Sequence, residues 1–173
     1  MSLQTLRSAW LGAIAIGLPA FVLPHAHAQG TDQAALAAAL KNTPTTLEQG
    51  LKTSERTGKP ISAKFEIEDG KLQLSVYTTS GEGYTEVVVA PDSGAVRSTE
   101  KIASSEDLEA AASQKAAMDK ATMSLLAVTE KAVGQNAGSR AVSAFPELKG
   151  GQPVATVTLL REGKFVTVPE KLS

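Results

Sequence analysis

The sequence has no cysteine, so no disulfide supports its fold and no lipid can be attached through an amino-terminal thiol. Its two histidines are His25 and His27, and its one tryptophan is Trp10, all near the amino terminus. Beyond residue 27 the usual ligands of zinc, copper and haem are therefore missing. Ser-His-acid and Cys-His nucleophile systems lack their base or their nucleophile. Carboxylate chemistry, lysine chemistry and oxygen-ligated cations remain, which favours a binding protein over an enzyme. There is also no basic excess: 17 Lys and Arg face 18 Asp and Glu. That balance argues against nucleic acid, whose phosphates require a basic footprint, and against electrostatic attachment to anionic lipid.

What is present begins with residues 1–28. Arg7 is the only charge there and precedes an apolar run from Ala9 to Leu18, interrupted after Leu18 by Pro19. Ala26-His27-Ala28 then places small residues at the third-last and last positions before Gln29. A basic start, a short apolar core and an A-x-A site are the layout of a secretory signal, predicting cleavage after Ala28 and a periplasmic protein. A membrane-spanning helix needs about 20 apolar residues, more than this run provides. Loss of Arg7 moves the formal charge from −1 to −2. The remaining 29–173 can bury a sizeable core as one unit, whereas two independent halves would each be marginal. The halves are expected to pack together or to dimerise.

Residues 29–44 read as an Ala-rich leader helix or linker, closed by Asn42-Thr43-Pro44. Thr45 and Glu48 have capping-box spacing, predicting a helix over about 46–57 that stops at Gly58 and Pro60. In Ile61–Glu68 apolar and polar residues alternate, with Ile61, Ala63, Phe65 and Ile67 on one face. Asp69-Gly70 is a hairpin turn. Leu72, Leu74 and Val76 form a second strand, and Tyr84–Ala90 a third before the turn Pro91–Gly94. A polar connection, 97–105, leads to a helical region over 106–133, read as one helix or two. Its start is capped by Ser104, and its loose apolar stripe runs through Leu108, Ala111, Met118, Leu125, Val128 and Ala132.

The second half repeats the first. Gly58 and Gly138, Phe65 and Phe145, and Gly70 and Gly150 share one spacing. One extra residue in the turn 149–153 then aligns Val76 with Val157, Tyr84 with Phe165 and Val87 with Val168. In this alignment an aromatic at the centre of strand one and another at the start of strand three build each core. Glu66 falls on Pro146 and Glu68 on Leu148, so the second copy loses its acidic face. Pro146 demotes its strand to an edge or marks a bulge. The fold class expected is α+β: tandem modules of a helix plus a three-stranded antiparallel sheet, joined by a long helical segment. The boundaries are 45–97 for module 1, 98–120 for the linker and helix start, and 121–173 for module 2.

Gly58–Gly70, with Ala63 and the acidic residues Glu66, Glu68 and Asp69, then Leu72–Tyr77, then Tyr84–Gly94 with its valines, resembles the PepSY domain family. Gly138–Leu172 resembles a diverged second copy. The resemblance implies an extracytoplasmic helix-on-sheet fold and a role in restraining peptidases. The family's usual Asp after the valines falls on Ala90-Pro91 here, with Asp92 nearby, and no catalytic residue carries over.

Glu66, Glu68, Asp69, Glu82 and Glu86 cluster around the first hairpins, with Asp92 at the following turn. They read first as a solvated strand face. Glu66, Glu68, Asp69 and Asp92 are the candidate oxygen ligands of a Ca²⁺ site, although no D-x-D-x-D-G loop is present. No cofactor is expected. Two functions stand. One is a protein-binding or regulatory module engaging a peptidase or envelope partner through a strand edge or hairpin loop. The other is a carrier of a small ligand or cation, with its site between the modules.

Overall fold

A computed structural model describes residues 26–81 and 83–173, with side chains from Asp32 onward. Residues 1–25, most of the segment expected to be a secretory signal, lie outside the described residues. Four helices and seven strands follow in the order α1 (Ala26–Leu40), α2 (Leu47–Ser54), β1 (Lys59–Glu68), β2 (Lys71–Ser80), β3 (Gly83–Val89), β4 (Val96–Lys101), α3 (Ser105–Lys120), α4 (Leu125–Gln135), β5 (Arg140–Lys149), β6 (Gln152–Arg161) and β7 (Lys164–Lys171). The strands make one antiparallel sheet in the order β4-β3-β2-β1-β5-β6-β7, a mixed α+β fold.

Alternation in the strands sorts residues onto two faces. Ala63, Phe65, Leu74, Val76, Val87 and Val89 share one face and are at most 3% exposed. Ala144, Ala155 and Val157 continue it across β5 and β6. Helices α2 and α4 lie on this face and touch each other. Leu47 and Leu51 of α2, and Leu125, Val128 and Ala132 of α4, supply its cover. The opposite face carries Ser62, Ser75 and Tyr77, all buried. Helix α3 meets it where Gln114 accepts a 2.7 Å hydrogen bond from the Ser62 hydroxyl. Small faces allow this close approach: Ala111, Gln114 and Ala117 on the helix, Ser62 and Ser143 on the sheet. Gln114→Leu leaves that buried hydroxyl without its acceptor. The expected loss is about 1–3 kcal/mol in urea unfolding, and a change within error would show that water replaces the amide.

The structure corrects several expectations. The N-cap of α2 is Thr46, with Gln49 reaching back, not Thr45 with Glu48. Thr45 is instead buried, tying the loop to the turn after β3: its amide donates to the Pro91 carbonyl and its hydroxyl to the Ala90 carbonyl. Of the two readings left open for 106–133, one helix or two, the structure has two, because Ser124 caps a new one by accepting from the Ala127 amide. The loose stripe splits accordingly: Ala111 and Met118 face one side of the sheet, Leu125, Val128 and Ala132 the other. The polar stretch after Ala95 is a fourth strand in the first half, β4, hidden from pattern reading because an edge strand exposed on both faces needs no apolar alternation.

The two halves share one register throughout. Ala63 pairs with Val76 and Ala144 with Val157; Val76 pairs with Val87 and Val157 with Val168. Every partner moves by the same 81 residues, including the bulge at Pro60/Ser62, which recurs at Ala141/Ser143. No extra residue enters the second turn. Asp69-Gly70 (φ 49° and 73°) and Gly150-Gly151 (φ 57° and 80°) are equivalent two-residue turns. Phe145 therefore matches Lys64, not Phe65, and lies half-buried on the other face opposite Thr156. Of the four aromatics assigned to the core, only Phe65 is fully buried; Tyr84 and Phe165 are half-buried, and Tyr77 joins the core instead. Glu66 matches Glu147 rather than Pro146, so the acid is retained. Strand β5 is central, not an edge. Pro146 is tolerated there because the β1–β5 ladder consists of Ala63↔Ala144 and Lys64↔Ser143 and stops before it.

Candidate functional site

The candidate acidic residues lie on neighbouring strands but do not converge. Glu66 pairs with Lys64 and accepts from the Ser75 hydroxyl at 3.0 Å. Glu68 accepts from the Gln73 amide at 2.8 Å, and that amide also reaches Ser75. Glu86 accepts from Tyr77 at 3.2 Å, one pairing further across the sheet. Asp69 is exposed in the hairpin turn with a left-handed backbone, and Asp92 sits in the separate turn after β3. Glu82 lies outside the described residues. Among the described residues no three acidic side chains are grouped to hold a metal ion. The carboxylates act as rungs between strands, each using a hydroxyl, amide or ammonium next to it.

The same rung recurs in the second half. Glu147 accepts from the Thr156 hydroxyl at 2.8 Å and pairs with Lys149 at 3.0 Å. Burial pushes its pKa upward, but the hydrogen bonds from Lys149 and Thr156 and the Lys149 charge outweigh this and hold it below the ordinary carboxylate range. A depressed folded-state pKa gives stability above the unfolded value that is lost as pH falls through the folded one. Thr156→Val is expected to raise the Glu147 carboxyl pKa read by ¹³C NMR. An unchanged value would assign the whole effect to Lys149.

Where the halves meet, a cleft of about 510 Å³ opens between α1 and the start of β5, lined by Leu40, Lys41, Ser139, Arg140, Leu160 and Glu162. Arg140 dominates it. Its guanidinium donates to the carbonyls of Leu40, Thr43 and Thr45, closing the carboxyl end of α1 and the loop into α2. The cation lies 5.6 Å from the Phe65 ring centroid, while Nε is buried without a hydrogen-bond partner. Burial lowers the Arg140 pKa from its ordinary value, opposed by the charge of Glu48. The matching position in β1 is Lys59, whose ammonium donates to the Met118 carbonyl of α3 at 3.0 Å. Each half thus uses the first cation of its leading strand to hold the helix that precedes the other half's α2 or α4. These cations are fastenings: their donors are directed at backbone carbonyls, which suits a helix end. Sequence reading passed over both residues. The signal that marks them is a cation placed just before each bulge, visible once the two halves are set in register.

The remaining surface is the rim of the sheet. Strands β4 and β7 each pair on one side only. Exposed large apolar side chains among the described residues are Ile67, Val96, Leu148 and Val166, two of them at hairpin ends and two on these edges. No described helix is long and apolar enough to cross a membrane. Comparison with protein-family models, curated proteins and solved structures finds no match.

Proposed function

We propose that the chain is an exported, non-catalytic protein-binding module, built from two tandem PepSY-like units, that restrains or tunes a peptidase or another envelope protein. The observation that carries this reading is the open rim: a seven-stranded sheet whose outer strands each leave a row of backbone donors and acceptors unpaired. Such an edge accepts an extended segment of another protein. The tandem origin is supported by the shared register, the recurring bulge and the recurring carboxylate–hydroxyl rung. Export rests on residues 1–28, and periplasmic residence on the same segment. The engaged carboxylates support a non-catalytic role.

The test is affinity capture from an envelope extract with the processed chain as bait, followed by mass spectrometry and titration of any captured peptidase. Recovery of one protein in near-equal amount, with its activity falling as the chain is added, is the expected result. A second reading, a carrier with its ligand in the cleft beside Arg140, is favoured by the position of that cleft between the halves. It wins if no partner is captured and native mass spectrometry retains a small molecule or Ca²⁺.

A further inference from the structure

We propose that the outer edge of β7 is the docking site, and that it receives an extended partner segment with acidic ends, added antiparallel in the place that β4 occupies on β3. The proposal rests on the protein-binding reading above and adds to it the strand, the phase and the partner's chemistry.

The fold contains its own template. By the common register, β7 is the counterpart of β3. Strand β3 carries β2 on one side and β4 on the other, whereas β7 carries only β6. The hydrogen-bonding phase of the free edge follows from the turn before it. Glu162 and Gly163, with φ 50° and 78°, form a two-residue hairpin loop closed by the Arg161↔Lys164 pair. In such a loop the closing pair exchanges both backbone bonds, and the phase then alternates. Lys164, Val166, Val168 and Glu170 therefore turn their backbone groups to β6, while Phe165, Thr167, Pro169 and Lys171 turn theirs outward. The counterpart of Phe165 obeys the same phase: the Tyr84 carbonyl accepts from the Ile102 amide at 3.0 Å, just past the end of β4. Pro169 has no amide to offer, so the continuous usable edge is the donor–acceptor pairs of Phe165 and Thr167 plus the Pro169 carbonyl, with Lys171 beyond that gap.

Side chains select the occupant. Val166 is 48% exposed beside this edge, with Phe165 and Val168 half-buried on either face. Lys164 and Lys171 are exposed at its two ends, and Arg161 lies beyond the turn. A second β7 pairing through Phe165 and Thr167 is centred on Val166 and sets the Lys164 ammonium of each copy against Val168 of the other, a charge on an apolar side chain twice over. A segment with β-branched residues in the middle and carboxylates at its ends meets the valine and both cations. The rim at β4 is less suited, since Arg97, Glu100 and Lys101 blunt it and Val96 is its sole large apolar residue.

The test uses ¹⁵N-labelled protein purified after expression of the full chain, with the blocked peptide Glu-Glu-Val-Thr-Val-Thr-Glu-Glu as probe. The free protein is expected to show fast amide exchange at Phe165 and Thr167. Peptide addition is expected to shift both amides saturably and to slow their exchange by about tenfold or more, as new ladder bonds do. Thr167→Pro removes an outward amide and no bond to β6, so it should weaken the peptide by about tenfold with the other resonances unchanged. A peptide with proline at its central valine, added to the wild type, should fail in the same way and covers the case in which the variant does not fold. No shift at these two amides up to about 1 mM peptide, a range that would expose even feeble binding, overturns the proposal. So does protection of both amides in the free protein together with a dimer in solution, which would make a second copy the occupant. Capture of a partner equally by wild type and Thr167→Pro removes the β7 assignment and leaves the protein-binding reading standing. Capture by neither removes that reading itself.

Discussion

Arg140→Met is expected to destabilise the protein by about 2–4 kcal/mol in urea unfolding, since hydrogen bonds from a charged donor contribute more than neutral ones and their loss strands buried acceptors. One guanidinium donates to three carbonyls, those of Leu40, Thr43 and Thr45. Leu40 ends α1, where unpaired carbonyls accumulate and a cation is favoured by the helix dipole. Methionine fills a similar volume and keeps the contact with Phe65, so the loss reports the donors rather than a cavity. Arg140→Lys should recover only part of it, because an ammonium lacks the planar fork that spans separate carbonyls. Amide exchange gives a second readout: α1 should exchange faster in Arg140→Met than any strand of the sheet does. A loss below about 0.5 kcal/mol, the scale of an ordinary surface substitution, would mean that water satisfies these carbonyls and that Arg140 is not a fastening.

Gly58→Val should be at least as severe, with an expected loss of about 3 kcal/mol or more. A Cβ at Gly58 would lie 2.6 Å from the Thr79 carbonyl oxygen and 3.0 Å from its carbon. Both atoms belong to the backbone of β2, paired on its two sides by β1 and β3, so neither can yield as a flexible side chain would. Gly138, which shares its apparent motif, behaves differently. It has φ +78° and open space where a Cβ would stand, so Gly138→Asn should be nearly neutral, asparagine being tolerant of the left-handed region. Thermal unfolding of the two variants separates the cases. Equal losses would show that the close approach at Gly58 relaxes.

That contrast explains where sequence reading succeeded and where it slipped. Gly58 and Gly138 look like one repeated residue, but the first is required by contact and the second by dihedral angle, and in register they are one position apart. The same slip moved Phe145 onto Phe65, because matching glycines and aromatics weights residue type over hydrogen-bonding partner. Valines gave the right spacing, since Val76 pairs with Val87 and Val157 with Val168, all on the helix-covered face of the sheet. The candidate acidic residues were legible as a group on one strand face. That each would be taken up by a hydroxyl, an amide or a lysine on the same or the next strand was not legible, because cross-strand partners depend on register.

Local order was determined by the sequence alone. Alternation in Ile61–Glu68, the Asp69-Gly70 turn and the break at Pro44 are properties of neighbouring residues, whose sterics and hydrophobic period act within a few positions. The recurrence of the pattern in the second half was visible for the same reason. Only the tertiary structure decided that the two sheets join edge to edge at Ala63 and Ala144, that α3 crosses to the opposite face from α2 and α4, and that Arg140 and Lys59 hold the leading helices. It alone left β7 open while β3 was covered. Each of these depends on groups far apart in the chain reaching hydrogen-bonding or packing distance, and a linear pattern carries no record of which distant carbonyl, hydroxyl or strand edge will be the partner.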